Sequence, residues 1–522
     1  MRRLQSHRSI SFVLLLLLMF FVTLALPGGD QPQWGRAWSR NMVSDERGLP
    51  ESFDPKSGRN VRWVAALGTE THSTPVVAGG RVYIGTNNGQ PRDPRHEGDR
   101  GILLCLDERN GALLWQLVAL KREEDPFQDW PKTGLSSPAT VEGERVYVVD
   151  NRGAVLCLDA RGLANGNDGP FREEAHRFTP RGSNAGSASS GQAPARPLQL
   201  GPQDADILWQ TDLATAAGIW PHDAAHSSIL IQGDLLYVNS GTGVDNTHRK
   251  IRDPQAPSLV VLDKRDGRLL ARDRLGLAPT IFHCTWSSPS MGEVNGRPRL
   301  FFAGGNGVLY GFRPLEQPQA GNSPGEVAEL KADWQFDFDP SGPKTNVHRF
   351  TTNRREGPSN IYGMPVFDAG RLYVAGGGDL FWGKNEAWLK CLHPARPPGG
   401  GTNALLWSYA LEKHVLSTPA IYRGMVFIAD CGRKMHCLDA DTGQPIWTHD
   451  IQGEVWASPL VADGKIYLGT RSGQFLVFAA SREKKVLSSI ELGNPISATA
   501  TAANGTLYVA TMKELYALRA GP

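Results

Sequence analysis

The chain has 522 residues, with 55 lysines and arginines against 53 aspartates and glutamates. So close a balance leaves no basic excess for a nucleic-acid partner to draw on, and that class is set aside. The 58 glycines and 36 prolines punctuate short apolar runs rather than forming one block, the pattern of an all-β protein with many turns.

Residues 1–26 begin with Arg2, Arg3, His7 and Arg8 and continue in an apolar run from Phe12 to Leu26, broken only by Thr23. A basic start and then an apolar stretch read as a secretory signal, and the run is shorter than the ~20 residues that span a bilayer. Thr23-Leu24-Ala25-Leu26-Pro27 offers no clean pair of small residues for cleavage, so an uncleaved inner-membrane tether is the alternative. Either way the body is expected to be exported, to the periplasm or beyond. Residues 27–58, including Gln33-Trp34-Gly35-Arg36, are expected to form an extension that wraps over one face of the folded body.

Next comes Asn60-Val61-Arg62-Trp63-Val64, a strand-like segment with no partner nearby in sequence. Eight repeat openings come after it: His72-Ser73-Thr74-Pro75, Leu135-Ser136-Ser137-Pro138, His226-Ser227-Ser228-Ile229, Trp286-Ser287-Ser288-Pro289, Tyr362-Gly363-Met364-Pro365, Leu416-Ser417-Thr418-Pro419, Trp456-Ala457-Ser458-Pro459 and Ile496-Ser497-Ala498-Thr499. Each leads into a Gly-containing turn and a Val-Tyr-like strand, and each unit reads as four short strands of period two. The Asp-to-Gly turns (Asp107 to Gly111, Asp263 to Gly267, Asp439 to Gly443) combine a side chain that bonds nearby N–H groups with a residue that supplies positive φ.

A tryptophan after the turn (Trp115, Trp209, Trp334, Trp407, Trp447) is expected on the outermost strand, packed between blades, with aliphatic residues near Leu270 and Leu487 in units three and seven. The last unit ends at Leu518 without a fourth strand, and the segment at Trp63 supplies one. The expectation is an eight-bladed β-propeller over residues 59–518, closed by both chain ends and left with no open edge. Residues 161–206, rich in Gly, Ser, Ala and Pro, read as a flexible surface insertion. Of six cysteines, Cys105, Cys157, Cys391 and Cys437 share one repeat slot and read as small core residues. Cys431 and Cys437, flanking a hairpin turn, are the one pair whose placement leaves a disulfide open.

The repeat, best seen in Leu438-Asp439-Ala440-Asp441-Thr442-Gly443-Gln444-Pro445-Ile446-Trp447, resembles the pyrroloquinoline-quinone (PQQ)-like propeller repeat. That repeat occurs in quinoprotein alcohol dehydrogenases and in BamB-type assembly scaffolds. The resemblance implies fold far more strongly than function. Family dehydrogenases carry an adjacent Cys-Cys pair beside the quinone and acidic and amide ligands around calcium. No two cysteines are neighbours here, and no Cys comes soon after the N-terminal segment, as a lipid-anchored scaffold would require.

In a propeller the residues that open each innermost strand face the central axis. The openings bring His72, Trp286, Tyr362 and Trp456 there, with His226, and just upstream lie Glu70, His222, Asp223, His283, Asn360, His414 and Glu454. Together they predict a polar, aromatic-walled funnel for a ligand. His222 and His226 are the candidate metal ligands; the repeat register puts His226 at a strand start, so the helical two-histidine zinc motif is disfavoured. Gly304-Gly305-Asn306-Gly307 and Gly376-Gly377-Gly378-Asp379 join strands to strands and read as tight hairpin turns, since phosphate binding would require a helix just after them. The leading expectation is an envelope binding or assembly platform for a protein or small molecule, without catalysis. The alternatives are a PQQ-dependent dehydrogenase with a diverged site at Glu70, Asn360 and Glu454, and a metal-binding propeller using the funnel histidines.

Overall fold

A computed structural model describes residues 28–122, 130–179, 197–222, 227–239, 241, 244–245, 247, 249–317, 327–396 and 403–521. The N-terminal signal or anchor, Asp223 and His226 lie outside these residues. Blade 1 runs from the axis outward as Val76–Ala78, Arg81–Asn87, Gly101–Asp107 and Leu113–Ala119, all antiparallel. Blades 2 to 7 follow the same plan, with innermost strands at Thr140–Glu142, Leu230–Gln232, Ser290–Val294, Val366–Asp368, Ala420–Tyr422 and Leu460–Ala462, blade 3 adding Ala328–Leu330 parallel to its outer strand and blade 5 adding Ser359–Asn360. Blade 8 takes Thr501–Ala503, Thr506–Ala510 and Glu514–Leu518 from the C-terminus, and Val61–Ala66 completes it by pairing with Glu514–Leu518. No helix among the described residues is long and apolar enough to cross a membrane.

Eight apolar cores lie one between each pair of adjacent blades, and the last, with Trp63 and Tyr508 against Val77 and Ile102, joins blade 8 to blade 1. Four blades share one core construction. On blade 1, Tyr83, Cys105 and Trp115 lie side by side across the second, third and outer strands. The small cysteine leaves room for Trp115 to approach Tyr83, with ring centroids 6.0 Å apart. Cys157, Cys391 and Cys437 face Trp209, Trp407 and Trp447 in the same way. All six cysteines are free and buried, so the Cys431–Cys437 disulfide that the sequence leaves open does not form. Cys437 faces Trp447 from the sheet, while Cys431 sits in the turn with its thiol toward Val455 O.

Five outer tryptophans, Trp63, Trp115, Trp209, Trp407 and Trp447, also dock onto the next blade through the indole N–H. Trp115 Nε1 donates to Ala160 O at 2.9 Å, Trp407 Nε1 to Ala440 O at 3.0 Å, and Trp63 Nε1 to Glu108 O at 3.0 Å. At Trp63, Trp209 and Trp407 the indole also rests on the turn glycine of that blade: a Cβ at Gly443 would stand 2.5 Å from the Trp407 ring. A β-bulge just before each tryptophan slot shifts the register by one residue. The slot in blade 3 is therefore Ala271 rather than Leu270, and in blade 7 it is Ser488 rather than Leu487.

The N-terminal extension circles the ring. In chain order, Gly29 O accepts from Asn504 N–H of blade 8, Gln31 O from Val77 of blade 1 and Pro32 O from Val141 of blade 2. Trp38 Nε1 donates to Ile231 O of blade 3, and Trp38 O accepts from Met291 of blade 4. Ser39 O, the Asn41 side chain and Met42 O then take Phe367, Ile421 and Val461 of blades 5, 6 and 7. Arg40 is fully buried at the hub of this belt, donating to Pro289 O, Trp34 O, Ser228 O and Ser228 Oγ at 2.8–3.1 Å. Burial pulls its pKa down to about 9, which still leaves it cationic at neutral pH.

Where the sequence suggests one flexible insertion at 161–206, the described parts are built onto the ring. They include a single-turn helix at Gly162–Asn165 and a short helix at Glu174–Phe178, with Phe178 buried in the core between blades 1 and 2.

Candidate functional site

The inner strand openings surround an axial cavity of about 650 Å³. His72, Trp286, Tyr362, Leu416 and Trp456 line it, with Glu70 and His283 from the preceding loops and Trp34 from the N-terminal belt. The sequence does not point to Phe381, Trp382 or Arg471, which line it as well. Leu135 and Ile496, at the same register, are instead buried against the neighbouring sheets, beneath Gly85 and Gly469.

The walls are flat aromatic surfaces. Trp286 stacks on Tyr362 with centroids 4.6 Å apart and planes 11° from parallel. Across the cavity His72 stacks on Trp456 at 6.0 Å, and the Phe381 ring stands edge-on to both Trp456 and His283. The Arg471 guanidinium lies 4.4 Å over the Trp456 ring and donates to Ser497 Oγ at 2.7 Å. Burial lowers the Arg471 pKa, against the opposing pull of the Glu70 and Glu454 carboxylates. Glu70 Oε2 is 3.8 Å from His72 Nε2. The cavity thus offers stacking faces together with a carboxylate and cations, Arg471 and Lys513, at its wall.

Behind Tyr362 and His283 sits Asp379, which is fully buried. Its Oδ2 meets His283 Nδ1 at 2.9 Å and accepts the Tyr362 hydroxyl at 2.6 Å, while its Oδ1 accepts the N–H groups of Phe381 and Trp382. Burial alone would raise its pKa; the His283 charge and the hydrogen bonds from His283, Tyr362 and Trp382 N–H outweigh that and hold it at about 2. The carboxylate therefore fixes the orientation of two cavity-lining rings. The sequence hides this residue because the glycines before it read as a tight hairpin turn. Instead Gly376–Gly378 end a long strand, and the 379–386 loop folds back on it so closely that a Cβ at Gly378 would lie 1.7 Å from Lys384 O.

The other upstream residues among the described ones lie off the cavity lining. Asn360 is buried, its Nδ2 donating to Cys284 O and its Oδ1 accepting from Ile361 N–H. His414 is buried and bonds Lys384 O through Nε2 at 2.8 Å. His222 is buried edge-on to His283, with centroids 4.9 Å apart. Glu454 does not line the cavity. The planar ring system of PQQ matches the stacked walls in shape. The donor set does not fit: of Glu70, Asn360 and Glu454, Glu70 alone lines the cavity, and among the described residues no cysteine does. No chemical step is therefore derived through the quinone.

Fold and site together define an eight-bladed antiparallel propeller with an aromatic-walled axial pocket. A family model described as "Outer membrane protein assembly factor BamB" matches residues 99–165 and 385–520, and the chain carries repeats of the PQQ-like propeller family. The quinohemoprotein alcohol dehydrogenase ADH IIB of Pseudomonas putida is 22% identical over 432 residues, 76% of this chain and 53% of that protein. The quinohemoprotein alcohol dehydrogenase of Comamonas testosteroni is 30% identical over 95 residues, 16% of this chain and 13% of that protein. The chain thus spans about half of one relative and a small part of the other. A solved europium-containing methanol dehydrogenase has the same fold, with a TM-score of 0.54 at 12% identity, covering 94% of this chain and 98% of that one.

Proposed function

We propose that this protein is an exported ligand-binding propeller of the cell envelope that holds a small planar molecule in its axial pocket and acts as a binding platform, not as a dehydrogenase. The observation that carries this reading is the pair of stacked walls, Trp286 on Tyr362 and His72 on Trp456, facing one cavity. Flat rings held rigidly by packing and by Asp379 bind a flat ligand with little loss of side-chain freedom. Export is supported by the basic and apolar N-terminal sequence and by the BamB description of the matching family.

The test is reconstitution. The purified chain, incubated with PQQ and calcium, is monitored by absorbance and then by dye-coupled oxidation of primary alcohols. The expected result is no turnover above the protein-free control, whether or not the quinone is taken up. Sustained turnover would replace the platform with a diverged quinoprotein dehydrogenase.

A further inference from the structure

At the outer edge of blade 2, far along the sheet from the axial opening, three carboxylates converge where the repeat elsewhere places an ion pair. In blades 1, 3 and 6 the turn aspartates Asp107, Asp263 and Asp439 are each covered by an arginine, respectively Arg109, Arg265 and Arg482. The equivalent of Arg109 in blade 2 is Arg161. Its N–H still caps Asp159, but its guanidinium turns away to Glu144. The space it leaves is filled by Asp168 and Asp206, and one oxygen from each of Asp159, Asp168 and Asp206 lies within 4.8 Å of the others.

Like charges so close cost energy unless a cation joins them. Among the described residues no lysine, arginine or histidine pairs with these three carboxylates. Asp206 is fully buried; its Oδ2 accepts the Asp168 N–H at 3.0 Å, and its Oδ1 is buried with no hydrogen-bond partner. Asp159 is half-buried and Asp168 exposed, so the group opens to solvent on one side. The loop that brings Asp168 here is laid tightly on the ring: a Cβ at Gly169 would lie 2.3 Å from Leu208 Cα.

We propose that Asp159, Asp168 and Asp206 form a calcium site that fastens the insertion to blade 2. An all-carboxylate set selects a hard cation, and calcium tolerates an irregular shell completed by carbonyls and water, whereas magnesium demands a near-ideal octahedron. The site is independent of the axial pocket.

The test uses the full exported chain, stripped with chelator and titrated calorimetrically with calcium chloride and, separately, magnesium chloride. Binding is expected with a Kd of ~10⁻⁴ M or tighter, the range of extracellular calcium modules, and at least ~10-fold weaker for magnesium. Asp168→Asn, an exposed change that leaves the fold intact, is expected to weaken calcium at least ~10-fold, and Asp107→Asn to leave it unchanged. Circular dichroism establishes that each variant is folded. Absence of saturable calcium binding, equal binding of magnesium, or an isotherm that Asp168→Asn leaves unchanged (as an axial site alone would give) overturns the proposal.

Discussion

Tyr362 and His283, which come from different blades' inner loops, meet the same oxygen of Asp379, at 2.6 and 2.9 Å. The charge on that oxygen strengthens both contacts. Asp379→Asn retains an oxygen to cap Phe381 and Trp382 but replaces the anionic oxygen that meets Tyr362 and His283 with an NH2 group. Breaking one side of a buried charged contact is expected to cost roughly 3 kcal/mol, measured by urea denaturation at pH 7.

The same carboxylate sets a pH dependence. A carboxyl held at about 2 in the folded state but near 4 when unfolded contributes stability that is fully present above about pH 4. That contribution is lost as pH falls through about 2. Denaturation midpoints of the wild type are therefore expected to drop more steeply than those of Asp379→Asn between about pH 4 and pH 2. Parallel curves would mean that Asp379 does not carry the effect.

Ring closure makes a further prediction. Trp63 stands near the start of the ring, yet it docks on Glu108 O and Gly111 as Trp407 docks on Ala440 O and Gly443. Trp63→Ala and Trp407→Ala are each expected to destabilise by about 3–5 kcal/mol. Gly443→Ala forces a Cβ toward the Trp407 ring at a φ of +70°, and is expected to cost roughly 1–3 kcal/mol by overpacking and backbone strain. Thermal and chemical unfolding read these directly.

The belt makes another prediction. Arg40 ties Trp34, blade 3 and blade 4 together through four hydrogen bonds. Arg40→Ala leaves buried carbonyls without donors and is expected to cost roughly 3–5 kcal/mol. Because Arg40 fastens the belt to blades 3 and 4, the variant is also expected to bring earlier protease cleavage within residues 28–46, seen by mass spectrometry of the fragments.

Much of this architecture can be read in the sequence because propeller strands obey local rules. Period-two alternation marks the strands, the Asp439-to-Gly443 turn marks their ends, and the missing fourth strand after Leu518 is answered by Trp63. What cannot be read is set by tertiary contacts. The bulge that moves the blade 3 slot to Ala271 depends on pairing across strands. The circuit of the belt rests on single hydrogen bonds to each blade, which leave no periodic trace. Within the site, His72, Trp286, Tyr362 and Trp456 obey the repeat register, whereas Asn360 and His414 turn toward backbone groups of irregular loops. Asp379 hides behind glycines whose role is to admit the backbone of Lys384.

Whether the stacked axial walls hold a planar ligand is decided by native mass spectrometry. The chain, purified without denaturant from its producing cell, is compared with Trp286→Ala prepared identically. A small-molecule adduct with near-ultraviolet absorbance is expected on the wild type. In the variant it is expected to fall at least ~10-fold, as loss of an aromatic stacking face of about 1.4 kcal/mol or more requires. An adduct that survives unchanged in Trp286→Ala, or bare chain in both preparations, would contradict a ligand held between these walls.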